Sequence, residues 1–270
     1  MLRWLLAPFR AVVLSAHVLV GVAIVLTIFP FVDQIARNRI NRNWSRVLIA
    51  VCGARVVRGG VVIAQPLQSA GIDPAHIGRL ALANHVSWLD IFAINAILPS
   101  RFIAKAEIGK WPLLGLLVSR SGTLYIERGR RHAVAAINKK VREHLKLGET
   151  IVVFAEGTTT DGSVLLPFHS NVIAPALEVD APIWPIAVRY TERGKRSLAA
   201  PFVDEMSLLS SLVKILVADQ LIVEVAPLSP ISGSDAADRH KTARAARTAI
   251  AQHLGLSDKP IADRSYASAD

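Results

Sequence analysis

From Ala11 to Val32 the chain reads AVVLSAHVLVGVAIVLTIFPFV, 22 residues without a formal charge. A helix of that length and polarity is long enough to cross the hydrocarbon of a bilayer, so whatever else the chain builds must be built beside a greasy N-terminal helix. Arg3 and Arg10 precede the run, and Arg37, Arg39, Arg42 and Arg46 follow it. Arginines on both sides leave the orientation open, and the heavier cluster favours a cytosolic C-terminal side. No small-x-small cleavage site stands before the polar residues begin, so an uncleaved anchor is expected rather than a signal peptide. His17 and Pro30 lie inside the run. An ionisable group in a membrane is a functional candidate by default, yet a lone histidine packed against another segment explains this one more simply.

The 270 residues carry 31 Lys and Arg against 21 Asp and Glu, a formal charge of +10, and 52% of them are hydrophobic. Most of the excess is N-terminal: residues 1–58 hold eight arginines, no lysine and one aspartate, which leaves +7. Such a balance suits anionic lipid headgroups and acidic substrates such as phosphates, coenzyme A and acyl carrier protein. Nucleic acid fits worst, because the arginines flank an apolar segment and no zinc spacing, RNP-like aromatic motif or basic heptad pattern is present. Cys52 is the single cysteine, which excludes a disulfide framework and a Cys-ligated metal. The eight histidines show no His-Glu-x-x-His or comparable ligand spacing, so no metal site is expected.

Residues Trp44 to Val57 read WSRVLIAVCGARVV, with Trp44, Val47, Leu48, Val51 and Cys52 at helical spacing. This predicts an interfacial helix or a core helix, and its proximity to the anchor favours the interface. Beyond Gly59-Gly60, strand-like and helical runs alternate as in an α/β domain. Strands are expected over Val61–Ala64, Arg79–Asn84, Arg101–Ala104, Thr123–Glu127, Thr150–Ala155, Ile183–Tyr190 and Leu221–Val225. Helices are expected over Trp88–Leu98, His132–Lys146, Ser170–Glu178, Asp204–Val217 and Asp235–Leu254, the last closing on Gly255. The organisation predicted is N-terminal membrane-attachment helices over 1–58, one α/β domain with a mixed, largely parallel sheet flanked by helices over 59–256, and a loose tail over 257–270.

Within this frame LALANHVSWLDIF, Leu80 to Phe92, stands out, because His85 and Asp90 interrupt a run that otherwise reads as core. In one continuous helix residues five apart point about 140° away from each other and would not meet. They meet if His85 lies on a turn before the helix. Ser87 is a good N-cap and Asp90 then falls at N3, as in a capping box, with its carboxylate reaching back to the turn. An imidazole at the carboxyl end of a strand, with one ring nitrogen held by a carboxylate, is able to take a proton from a hydroxyl. The residues alone equally allow Asp90 as a cap and His85 as an ordinary turn residue.

A set of further stretches follows in fixed order. NHVSWLD is an Asn-His-x4-Asp block; FIAKAEIGKWPLLG, GTLYIERGRR, VVFAEGTTTDG and APIWPIAVRY come after it, the last ending at Tyr190. Together these resemble the blocks of the glycerolipid acyltransferases, the family of the 1-acylglycerol-3-phosphate acyltransferases, across Leu80 to Tyr190. The resemblance implies that His85 is the general base that deprotonates a lysolipid hydroxyl and that Asp90 orients it. It implies a fatty acyl thioester co-substrate, on acyl carrier protein or coenzyme A, and no cofactor. Lys105 is a candidate donor to the oxyanion, or a surface lysine after a strand. By the same resemblance Asn84 belongs to the substrate-binding set, Arg128 contacts the acceptor's phosphate, and Glu156, Gly157, Thr158 and Thr159 shape the acceptor pocket. The absence of a Gly-x-Ser-x-Gly elbow agrees with direct transfer without a covalent acyl-enzyme.

Two positions depart from the family pattern: Ala155 stands where a proline is usual, and Thr159 where phosphatidic-acid-forming members commonly carry arginine. Losing a guanidinium removes a strong phosphate contact. The form EGTTTDG followed by LLPFHSNV resembles the lyso-ornithine lipid acyltransferases, whose amino-acid headgroup would not need two arginines. The expected acceptor is therefore lyso-ornithine lipid, with lysophosphatidate as the alternative, and the expected place is a bacterial inner membrane with the site facing the cytosol. A thioester or ester hydrolase would use the same two residues, and a silent protein binding anionic lipid would use neither.

Overall fold

The computed structural model describes residues 2–60, 78–111, 113–126, 131–232 and 238–258. Helix α1 runs over Leu2–Thr27, about 39 Å at 1.5 Å per residue. A single 3-10 turn at Phe29–Phe31, containing Pro30, ends it. Asp33 then caps α2, Gln34–Val51, by accepting the Ala36 N–H at 2.7 Å. The two helices fold back on each other where the His17 ring stacks on Trp44, with centroids 4.7 Å apart, and His17 Nε2 lies 3.0 Å from the Trp44 carbonyl oxygen. His17 thus packs against another segment, as expected. Gly21 allows this approach, since a Cβ there would sit 2.8 Å from both Trp44 and Leu117.

The expected helix over Trp44–Val57 is wrong in its second half. Helix α2 stops at Val51, Gly53 takes φ +78°, and Ala54–Arg58 form strand β1. Apolar residues continue across the break and hide it; a left-handed φ that only glycine adopts cheaply is what turns the chain. The strand expected at Val61–Ala64 lies outside the described residues. The other strands fall near their expected bounds: β2 Arg79–Ala83, β3 Arg101–Lys105, β4 Leu124–Ile126, β5 Thr150–Phe154, β6 Ile183–Glu192 and β8 Leu221–Pro227, with β7 a two-residue addition at Lys195–Arg196.

These strands form one sheet in the order β1-β8-β6-β2-β5-β3-β4, with β7 hairpinned onto β6. Every pairing is parallel except β6 with β8 and β6 with β7. The sheet is mixed and largely parallel, as expected. Its central strands are near-continuous apolar runs because both faces are covered. On one face Ala81, Ala83 and Val152 pack with Leu48 and Ile49 of α2, with Ala93 and Ile94 of α3 (Asp90–Ile97), and with Ile215 of α7 (Leu208–Val217). On the other, Leu80, Leu82 and Ile151 meet Ile137, Val141 and Leu145 of α5 (Arg131–Lys146), and Ala246 and Ile250 of α8 (Arg239–Leu254).

Two helix boundaries differ instructively. Ser170–Glu178 is not one helix but a 3-10 turn at Ser170–Val172 followed by α6, Ala174–Leu177. Pro175 lacks an N–H, so it sits in a first turn, where none is needed. Asp204 takes φ +57° in a turn, and α7 begins only after Ser207, whose hydroxyl accepts the Ser210 N–H at 3.2 Å.

Helix α1 does not project away from this body. At its start Arg3 pairs with Asp219 and Arg10 donates to the Leu216 carbonyl at 2.8 Å, both beside the end of α7. Toward its end it packs on α4, Leu114–Arg120. Its outer side leaves Trp4, Phe9 and Val12 about two-thirds exposed, and Leu209 of α7 continues the apolar surface.

Candidate active site

Strand β2 ends at Ala83, but its ladder continues for one more step through a side chain. The Asn84 carboxamide donates to the Val188 carbonyl at 3.0 Å and accepts the Val188 N–H at 2.8 Å, copying a peptide group against β6. Asn84 is 1% exposed. Expected among the substrate contacts, Asn84 is here a buried amide bonded at both ends, which anchors the turn that carries His85.

That turn holds His85 at four points. Its N–H donates to Glu156 Oε1 at 2.8 Å, and its carbonyl accepts the Thr160 N–H at 2.9 Å. Its ring stacks on Phe154 with centroids 3.8 Å apart and planes 11° from parallel. Nδ1 lies 2.7 Å from Asp90 Oδ2. The same oxygen accepts the N–H groups of Val86 at 2.8 Å and Ser87 at 3.0 Å. An oxygen taking two backbone donors acts as acceptor, so the shared proton belongs on His85 Nδ1 and Nε2 keeps its lone pair. Nε2 bonds to no described residue, and the imidazole is 19% exposed.

The expected cap is met only in part: Leu89, not Ser87, precedes the first helical residue and no side chain caps it, while the Asp90 carboxylate does reach back to the turn. Asp90 reaches back to the Ser87 N–H while the Ser87 hydroxyl lies 3.4 Å from the Leu89 N–H. The helix proper starts two residues later than expected, at Asp90, because the Asp90 N–H closes a tight turn on the Ser87 carbonyl at 3.0 Å.

Asp90 is fully buried, and its second oxygen, Oδ1, accepts the Tyr190 hydroxyl at 2.6 Å. Burial, reinforced by the charge of Asp90, pushes the Tyr190 hydroxyl well above its usual range, so it stays a donor. Tyr190 ends the last of the family-like blocks, but nothing there marks it as a site residue. Alternation along β6 does place it on the face of Ile186 and Val188, and a buried tyrosine hydroxyl requires a partner.

Glu156 follows β5 and bridges two loops: Oε1 takes the His85 N–H, and Oε2 the Leu166 N–H at 2.8 Å. Burial pushes its carboxyl up to about 7 against those two donors, with the charge of Asp90 acting in the same direction and that of Arg247 opposing it. Expected to shape an acceptor pocket, Glu156 is seen as a buried brace between the His85 turn and the loop at Leu166. Gly157 turns the chain at φ +74°, with partly buried Thr158 next to it. The Thr159 hydroxyl donates to the Phe202 carbonyl, and the Phe202 N–H donates to the Val86 carbonyl at 2.9 Å.

Arg247 of α8 supports the same loop from the other side of the sheet. Nε and a terminal nitrogen donate to the Leu166 and Leu165 carbonyls at 3.1 and 2.8 Å. Nothing in its sequence context signals this, since it lies 81 residues from Leu166.

Lys105 ends β3 at the same sheet edge and is exposed. Strand β5 separates β3 from β2, which puts the two strands about 10 Å apart. Arg128 lies outside the described residues. A cleft of about 290 Å³ borders the loop after Thr160, lined by Val86, Asp161, Val188, Tyr190 and Arg196 among others, and Asp161 and Arg196 pair there at 2.7 Å. Among the described residues no group of three His, Cys, Asp or Glu side chains is placed to hold a metal.

Residues 72–189 match the family described as Acyltransferase. The lyso-ornithine lipid O-acyltransferase of Pseudomonas aeruginosa is 36% identical over 214 residues, 79% of this chain and 78% of that one. The 1-acyl-sn-glycerol-3-phosphate acyltransferase of Neisseria gonorrhoeae is 38% identical over 164 residues, 60% of this chain and 64% of that one. The fold is that of the 1-acyl-sn-glycerophosphate acyltransferase of Thermotoga maritima, with a TM-score of 0.66 at 16% identity over 94% of this chain and 96% of that structure. With its Asn-His-x4-Asp turn inside the matched segment and its similarity running over more than three-quarters of a relative, the chain belongs to the acyltransferase family.

Proposed function

We propose that this acyltransferase moves a fatty acyl group from a thioester, on acyl carrier protein or coenzyme A, to the hydroxyl of a lysolipid, and that the acceptor is lyso-ornithine lipid. The observation that carries the reading is His85, whose Nδ1 is held by buried Asp90 while Nε2 bonds to no described residue. Nε2 takes the hydroxyl proton as the oxygen attacks the thioester carbonyl. The tetrahedral intermediate collapses, the C–S bond breaks, and the imidazolium returns the proton to the leaving thiolate. Asp90 keeps the ring in the tautomer this requires and stabilises the imidazolium. The oxyanion calls for a donor, and Lys105 is the candidate: exposed, at the right sheet edge and free to swing.

Thr159 supports the choice of acceptor. Its hydroxyl is spent on the Phe202 carbonyl, so this position offers a phosphate no cation. The Asp161–Arg196 pair beside the loop provides opposite charges, as suits a headgroup with both a carboxylate and an ammonium. The name of the Pseudomonas aeruginosa relative agrees. Attachment to the cytosolic face of a bacterial inner membrane is part of the proposal, and the outward apolar side of α1 with its flanking arginines supports membrane association. Helix α1 is docked on the domain at both ends and is also long and apolar enough to cross a membrane, which supports its role as the attachment element.

The test gives purified protein a labelled acyl thioester with lyso-ornithine lipid and lysophosphatidate as competing acceptors. Label is expected in ornithine lipid, and His85→Ala should abolish it. Thr159→Arg should shift use toward lysophosphatidate by about 10- to 100-fold, the effect of one charged hydrogen-bonded contact. Full activity of His85→Ala would refute the base. Label mainly in phosphatidate would refute the acceptor, and label only in free fatty acid would refute transfer.

A further inference from the structure

Asp90 accepts four hydrogen bonds, and they are unevenly divided. Three donors, from His85, Val86 and Ser87, converge on Oδ2. All three belong to consecutive residues of one turn, so with Cβ held by α3 they fix one oxygen and leave the tilt of the carboxylate about the line from Cβ to Oδ2 to the partner of Oδ1. On Oδ1, Tyr190 is the one donor among the described residues. It comes 100 residues later in the chain, from a strand whose own place is set by its neighbours: Tyr190 is 3% exposed and registers with Val223 of β8.

We propose that Tyr190 is a positioning residue for acyl transfer: by fixing Oδ1 it sets the plane of the Asp90 carboxylate and aims Oδ2 at His85 Nδ1. The inference rests on His85 being the base. Two effects follow from the geometry when the hydroxyl is removed. The carboxylate gains a rotation that the turn alone does not forbid, and misaligned orientation costs rate more than it costs binding. Its charge, no longer shared with a donor, also falls more fully on His85 and favours the imidazolium. The neutral ring needed for catalysis is then reached only at higher pH.

The other ionisable groups around the pair are Glu156 after β5, Cys52 at the end of α2 beside Tyr190, and Arg247 behind Glu156. All three remain when Tyr190 is changed to phenylalanine, so the shift isolates the hydroxyl.

Wild type, Tyr190→Phe and His85→Ala are compared in full-length protein for kcat, KM and their pH dependence, with thermal melts. The nitrogen-bound proton signals of histidine are followed by NMR in ¹⁵N-histidine-labelled protein. Tyr190→Phe is expected to lower kcat about 10- to 100-fold with KM within about twofold, move the acid limb of kcat/KM to higher pH, and displace the downfield His85 Nδ1–H signal. Wild-type kcat and pH profile in Tyr190→Phe, with His85→Ala inactive, would overturn this inference and leave the base standing. Activity in His85→Ala would overturn both. A loss in Tyr190→Phe that matches the unfolded fraction, with the His85 signal unmoved, reduces Tyr190 to a packing residue and also refutes the proposal.

Discussion

Arg247→Met tests whether the C-terminal helix is part of the catalytic apparatus. Methionine keeps most of the apolar stem and removes the guanidinium, so packing against the loop is largely preserved. Two buried carbonyls, Leu165 and Leu166, lose charged donors at 2.8 and 3.1 Å. Each such loss costs about 1.5–3 kcal/mol, since the groups left behind stay buried. The ion pair with Asp258 at 2.5 Å adds little, because Asp258 is nearly half exposed. The expected loss is about 3 kcal/mol at the least, or about 6–12 °C in Tm for a domain of this size. Activity should fall further than the folded fraction does. Leu166 and His85 hang from opposite oxygens of Glu156, so a loop that relaxes at Leu166 moves the group that fixes the His85 backbone. The assay pairs a melt with kcat measured well below the new Tm. A loss under about 1 kcal/mol, or an unchanged kcat in the folded variant, would refute the coupling of α8 to the site.

Two further outcomes follow from the same geometry. Although burial pushes Glu149 up, hydrogen bonds and charge from His144 and Arg101 hold its carboxyl down at about 2. Its folded value lies below its unfolded one, so its contribution to stability is complete above about pH 4.5 and is lost as pH falls toward 2. After solvent screening this is about 1–2 kcal/mol, and the urea midpoints of wild type and Glu149→Gln should converge between pH 6 and pH 3; a constant gap would refute it. On the outward face of α1, Trp4→Ser with Phe9→Ser should lower partition to vesicles containing anionic lipid about 100-fold, from about 1.5 kcal/mol per lost aromatic, with Tm unchanged because both are exposed. Undiminished vesicle binding would sink the attachment by α1.

Local features of the fold and site were the readable ones. The central strands announce themselves as apolar runs, and the meeting of His85 with Asp90 follows from a five-residue spacing broken by a turn before the helix. Strand β1 was misread because the apolar pattern of α2 runs on through it, and one glycine at φ +78° marks the change. The buried face of Tyr190 follows from the alternation along β6, but its partner does not, and Arg247 carries no signal of its role. Each acts across the sheet, 100 and 81 residues from its partner, and no local pattern encodes such a distance.

Family resemblance implies roles for residues without giving the contacts through which they act. Asn84 and Glu156 sit in two of the blocks that made the chain recognisable, yet their polar atoms are committed to backbone: Asn84 to Val188, Glu156 to His85 and Leu166. Both are within 3% of full burial. A base that must hold one lone pair in a fixed direction needs its own backbone fixed first, and the cheapest fixation in a buried loop is a side chain that replaces missing backbone partners. Replacing either residue should therefore resemble a catalytic defect while acting through the position of His85. Loss of activity on mutation cannot by itself assign a residue of this site to the chemistry. On the proposed mechanism, a group that touches the reacting atoms changes the protonation step itself, whereas replacing Asn84 or Glu156 would change where the imidazole stands when that step begins.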